Sequence, residues 1–169
     1  KENTYDINDP QIAEIIAYIK KTEDEIRGRC NGFKGFYGNQ IDTIIYGIIG
    51  ERIVIGNDIG TGKTLTSIMI AKFLMEKRNA FRTLILLPAS LATNFYQDYN
   101  KYFNDKEMMI ISSETKKKRE SLYQTFKTTP RLKFLITNYE KCNFDFEYLR
   151  TLKFDVLIVD EFHKMKNFR

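Results

Sequence analysis

Lys63 and Thr64 end a run, IVIGNDIGTGKT from Ile53 to Thr64, that places a cation, a hydroxyl and several glycines within one short turn. That combination suits the binding of a polyphosphate. Gly56, Gly60 and Gly62 allow the backbone to turn sharply, so that N–H groups along Asn57, Asp58, Ile59 and Thr61 converge on one anion. The Lys63 ammonium then reaches the β- and γ-phosphates, and the Thr64 hydroxyl can ligate Mg²⁺. The helix that Lys63 opens adds the partial positive charge of its N-terminus. The spacing departs from G-x-x-x-x-G-K-[ST] at one position, where Asn57 stands in place of the first glycine and Gly56 falls one residue early. Asparagine tolerates left-handed backbone better than most residues, so the loop can still form.

A second group with chemistry lies near the other end of the chain, in LIVDEFH. A nucleoside triphosphatase needs a carboxylate that holds Mg²⁺ and a group that orients and deprotonates the attacking water. Asp160 is the candidate for the first role and Glu161 for the second. His163, the single histidine of the chain, follows two residues after Glu161. The metal ligands expected from the chain are thus Thr64 and Asp160, with ATP and Mg²⁺ as the ligands of the site.

Both groups need elements to hold them. Ile53 to Ile55 is a β-branched run fit for a buried strand, and the apolar residues Leu65, Ile68, Met69, Ala71, Phe73 and Leu74 predict a helix to about Arg78. Strands follow at Thr83 to Leu87, Met108 to Ile111, Lys133 to Ile136 and Asp155 to Val159. Between them, helices are expected over Ala89 to Phe103 and Glu114 to Lys127, and a short helical or irregular piece runs to Leu152. Strands that alternate with helices predict an α/β fold with a parallel sheet covered on both faces. Ligands of such sheets sit beyond the carboxyl ends of the strands. The phosphate loop and the Asp160–Glu161 pair both follow strands, so both belong on that edge.

Upstream, Asp9-Pro10 forms a helix start with Asp9 as N-cap, and Ile12, Ile15, Ile16, Ile19 and Ile26 keep helical spacing to about Gly28. The following GRCNGFKGFYG is loop-like, and a second helix begins near Asn39 with Ile41, Ile44 and Ile45 inward. The expected division is an N-terminal helical extension over residues 1–35 and one α/β domain over residues 36–169.

The 169 residues suffice for a domain with a sizeable core, and 43% hydrophobic with 29% charged residues is a globular composition. No stretch approaches the roughly 18 apolar residues of a membrane span, nothing at the N-terminus resembles a signal peptide, and Cys30 and Cys142 have no metal-type spacing. An intracellular protein with reduced thiols is expected, with no membrane partner. A net charge of +5 is compatible with a polyanionic partner. The densest basic run, Lys116 to Arg119, is flanked by Glu114 and Glu120 and reads as a solvated helix face.

From Phe36 to Asn167 the chain resembles the first RecA-like lobe of superfamily-two helicases and translocases, and within them the SWI/SNF-like branch. FYGNQ resembles the adenine-recognising Q motif, GNDIGTGKT motif I, LILLPASLATNF motif Ia, LITNYEKC the segment along the nucleic-acid backbone, and DEFHKMKN motif II with its trailing Lys166 and Asn167. Phe162 stands where motif II usually has a small residue, and Phe95 where motif Ia usually has tryptophan. The resemblance implies that Gln40 recognises adenine, that Ser90, Asn94, Thr137 and Tyr139 contact nucleic acid, and that His163 couples hydrolysis to movement. It also implies a second lobe of the same protein, which supplies an arginine finger, and translocation on double-stranded DNA. This chain alone is then a fragment that hydrolyses ATP weakly. An RNA or single-strand motor, and a non-motor ATP-binding switch, are the alternatives at this point.

Overall fold

The computed structural model describes residues 5–50, 53–55, 63–111 and 114–160. Helix α1 (Pro10–Arg29) starts as its sequence dictates, with the Asp9 carboxylate accepting the Gln11 N–H at 2.8 Å. Helix α2 (Gly38–Gly50) then leads to strand β1 (Ile53–Ile55). The order continues α3 (Lys63–Lys77), β2 (Thr83–Leu86), α4 (Ala89–Tyr102), β3 (Met108–Ile110), α5 (Lys116–Thr128) and β4 (Phe134–Thr137). Two short helices, α6 (Tyr139–Phe144) and α7 (Phe146–Leu149), and a 3-10 turn at Arg150–Leu152 precede β5 (Val156–Asp160).

The five strands form one parallel sheet in the order β1-β5-β2-β4-β3. The path explains the two layers of helix. Going outward from β1 to β2 to β3, the chain crosses through α3 and α4, whose Ile68, Phe73, Phe95 and Tyr99 share a core with Ile85, Ile136 and Ile158. It returns through β4 to β5 by way of α5, α6 and α7, whose Tyr123, Phe126, Tyr139 and Leu149 pack on Leu84, Leu86, Leu135 and Val159. Crossovers of one hand require this change of face when the direction of travel reverses. The expected parallel α/β sheet is thus the observed fold.

Helix α1 joins the first of these cores. Ile12, Ile15, Ile19 and Ile26 are no more than 3% exposed and lie in the same cluster as the sheet residues. On the opposite face, among the described residues, Leu157 of β5 is 48% exposed, whereas Val156, Ile158 and Val159 are buried.

Among the described residues, two ion-pair networks tie α3 and α5 to the segments packed beside them. In the first, the Lys72 ammonium of α3 lies 2.7 Å from Asp105 and 3.3 Å from Glu107, above the Phe103 ring at 4.7 Å. In the second, Arg119 of α5 grips Asp145 with Nε at 2.6 Å and Nη2 at 3.0 Å, and Tyr123 donates its hydroxyl to the same carboxylate. Arg119 is therefore buried and belongs to the interior, not to the solvated face expected for the whole basic run; Lys116, Lys117 and Lys118 keep that face.

These networks set a pH dependence. Burial alone would raise the Asp105 carboxyl, but Lys72, Tyr99 and the Glu107 N–H overcome it and hold it below its ordinary value. Burial likewise opposes, and Arg119 and Tyr123 override, at Asp145. A carboxyl depressed in the folded state contributes stability above its unfolded value of about 4, and that contribution is lost as pH falls through the depressed value. Glu107, raised by burial despite Lys72, acts in the opposite sense at higher pH. Urea midpoints followed from pH 7 to pH 3 are expected to fall below about pH 4, and Asp105→Asn is expected to flatten that fall.

Candidate nucleotide site at the carboxyl edge of the sheet

Strand β1 ends at Ile55 and helix α3 begins at Lys63, on either side of the glycine-rich stretch of sequence. Residues 56–62, with Gly56, Asn57, Asp58, Ile59, Gly60, Thr61 and Gly62, lie outside the described residues, as do Glu161 and His163. What the sheet fixes is the relation of their anchors. Strands β1 and β5 are direct neighbours, and Ile55 is the register partner of Asp160. The last residue before the loop and the first acidic residue of LIVDEFH therefore sit side by side on the carboxyl edge. Asp160 is the final residue of β5, one position earlier relative to the strand end than the sequence suggested.

Thr64 is buried in the first turn of α3. A hydroxyl and a carboxylate are hard oxygen donors, and two of them leave room for the waters and phosphate oxygens that Mg²⁺ prefers. The oxygen chemistry expected at Thr64 and Asp160 is of the kind that ion takes.

Next to the start of α3 lies a cleft of about 620 Å³, lined among others by Gln40, Tyr37, Phe33, Leu65, Lys34 and Lys101. Gln40 accepts the Tyr37 N–H through Oε1 at 2.8 Å. That bond orients the amide and leaves its NH₂ as a donor. Phe33 stands edge-on to Phe36 at 5.6 Å and to Tyr102 at 6.1 Å, so the apolar wall is braced from two sides. Gln40 is among the residues expected at the site, and the other walls of the cleft are not. The aromatic spacing of the loop was the available sign.

The positions assigned to nucleic-acid contact divide into two kinds. Ser90 and Asn94 are exposed on the first turns of α4, directly after the carboxyl end of β2. Thr137 and Tyr139 are not surface groups: Thr137 is fully buried and Tyr139 is 5% exposed. Thr137 is the last residue of β4 and Tyr139 fills the second core. The exposed side chain of the LITNYEKC segment is Glu140. Among the described residues the Thr137 hydroxyl has no hydrogen-bond partner.

The profile of the SNF2-related domain matches residues 50–169. The Chromodomain-helicase-DNA-binding protein 1-like of Danio rerio is 32% identical over 120 residues, which is 69% of this chain and 11% of that protein. The DNA repair and recombination protein RAD54B of Gallus gallus is 26% identical over 132 residues, 71% of this chain and 14% of that protein. The chromatin-remodeling ATPase INO80 of Aspergillus oryzae is 24% identical over 125 residues, 70% and 9% respectively. The chain thus spans roughly a tenth of the length of these relatives. With a matched profile over most of its length and a parallel sheet flanked by helices, the chain belongs to the SNF2-related family of helicase-like ATPases.

Proposed function

We propose that this chain is the ATP-binding and hydrolysing lobe of a DNA-dependent motor that moves along duplex DNA. The observation that carries the reading is the pairing of Ile55 with Asp160, because it supports one site built from the loop and the acidic pair. Bound ATP with Mg²⁺ supplies the phosphoanhydride to be cleaved. Lys63 then neutralises the β- and γ-phosphates, while Thr64 and Asp160 hold the ion. Glu161 orients a water in line with the γ-phosphorus and takes its proton. Gln40 donates to the base edge in the cleft that Phe33 and Tyr37 line. His163 couples the site to movement.

The same edge turns Ser90 and Asn94 outward, which suits contacts to a DNA backbone that position the protein and read no sequence. A second lobe of the same protein closes over the nucleotide and brings an arginine to the developing γ-phosphate charge. Weak hydrolysis by this lobe alone follows. No helix among the described residues is long and apolar enough to cross a membrane, and an intracellular site of action accords with a DNA substrate.

The test is the ATPase rate of the full-length protein without nucleic acid, with duplex DNA, with single-stranded DNA and with RNA, against Glu161→Gln as background. Stimulation by duplex DNA is the expected result. Stimulation confined to RNA or single strands overturns the duplex assignment, and a rate equal to the Glu161→Gln background under every condition overturns the motor reading.

A further inference from the structure

The profile match begins at residue 50, yet most of the residues that line the base-side cleft come before it. The loop from Asn31 to Tyr37 has little regular backbone bonding of its own. It is held instead by the last turns of α1. Glu23 accepts the Phe36 N–H through Oε1 at 2.9 Å, and this carboxylate is only 14% exposed. Arg27 pairs with the other oxygen of Glu23 at 3.6 Å and donates through Nη2 to the Lys34 carbonyl at 3.3 Å.

Between these two anchors the chain passes Gly35, whose φ of +111° is a conformation that L side chains rarely adopt. A Cβ there would stand 2.8 Å from the Arg27 guanidinium. The backbone therefore lies close against the Glu23–Arg27 pair. One residue on, Phe36 is buried in the core, and the next residue, Tyr37, donates its N–H to the Gln40 side chain. Two further bonds fix the opposite wall, from Arg29 Nε to the Tyr102 carbonyl at 2.8 Å and from Cys30 Sγ to the Lys101 carbonyl at 3.0 Å.

We propose that Glu23 is a positioning residue for base recognition: through the Phe36 N–H it sets the loop that presents Phe33, Tyr37 and Gln40 to the base. The proposal rests on the nucleotide reading given above. It separates two halves of the ligand. The loop meets the base, and the Gly56–Thr64 turn meets the phosphates. Loss of the Glu23 anchor should weaken binding of the whole nucleotide and leave binding of the bare phosphate chain alone.

The experiment measures dissociation constants of the full chain for a fluorescent N-methylanthraniloyl-ATP and for inorganic tripolyphosphate, each with Mg²⁺. Glu23→Ala is expected to weaken the nucleotide about tenfold, the scale of one lost hydrogen bond to a charged group, and to leave tripolyphosphate unchanged. Glu23→Gln, whose amide oxygen can accept the same N–H, is expected to restore most of the affinity. Equal weakening of both ligands in Glu23→Ala overturns the proposal in favour of general loosening of the fold. Unchanged binding of both overturns the positioning role while leaving the nucleotide site in place. A parent chain that binds neither ligand overturns the nucleotide reading, and the role of Glu23 with it.

Discussion

Lys63→Ala is expected to reduce ATP affinity by about 2–5 kcal/mol, or roughly thirty-fold to several-thousand-fold, as truncation of a hydrogen-bonded charge in a closed site generally does. The substitution removes the only side-chain cation of the IVIGNDIGTGKT run. It leaves the α3 N-terminus and its N–H groups, so some affinity for the phosphates should persist. Lys63 opens α3, and alanine is the strongest helix former. Circular dichroism should therefore match the parent while fluorescent-nucleotide titration shows the loss. An unchanged dissociation constant would remove the phosphate-loop assignment altogether.

The second large effect concerns stability. Asp145→Ala should destabilise the fold by about 3–5 kcal/mol, because it strands the buried Arg119 guanidinium without its carboxylate. The side chains of both residues are nearly inaccessible, at 6% and 3% exposure, and Tyr123 loses an acceptor in the same step. Against a typical domain stability of about 5–15 kcal/mol, that is a large fraction. The paired replacement Arg119→Met with Asp145→Leu removes both charges together and should recover much of the loss. Urea unfolding followed by tryptophan-independent far-ultraviolet dichroism checks both variants. A double variant no better than Asp145→Ala would mean that the hydrogen bonds to Tyr123 and to the Glu114 carbonyl, not the stranded charge, dominate.

Much of this was legible because parallel α/β folds write themselves in local pattern. The isoleucine spacing and Asp9-Pro10 fixed the start of α1, and five apolar runs marked five strands. The placing of Ile55 and Asp160 on one edge followed from topology, since every parallel strand ends on the same edge. The order of strands did not follow, because the pairing of β1 with β5 joins residues far apart in sequence and leaves no local trace.

Arg119 escaped for a different reason. Its charge placed it with Lys116 to Lys118, but its spacing to Tyr123 and Phe126 puts it on the stripe of α5 that faces inward. Reading spacing before charge would have found it. Thr137 and Tyr139 were assigned by likeness of motif, which names residues without saying which way they point. Glu23 carried no mark at all, since a carboxylate that accepts a backbone N–H thirteen residues later follows no period.

The burial of Ile12, Ile15, Ile19 and Ile26 in the common core bears on how this family's parts can be exchanged. A chimera joined at residue 50, where kinship to the SNF2-related domain begins, would cut through a single packed body. The grafted half would arrive without the helix that fills its interior and without the wall of its own cleft. Exchange with a relative should keep α1, α2 and the sheet together, so that the heritable unit is longer than the recognisable one.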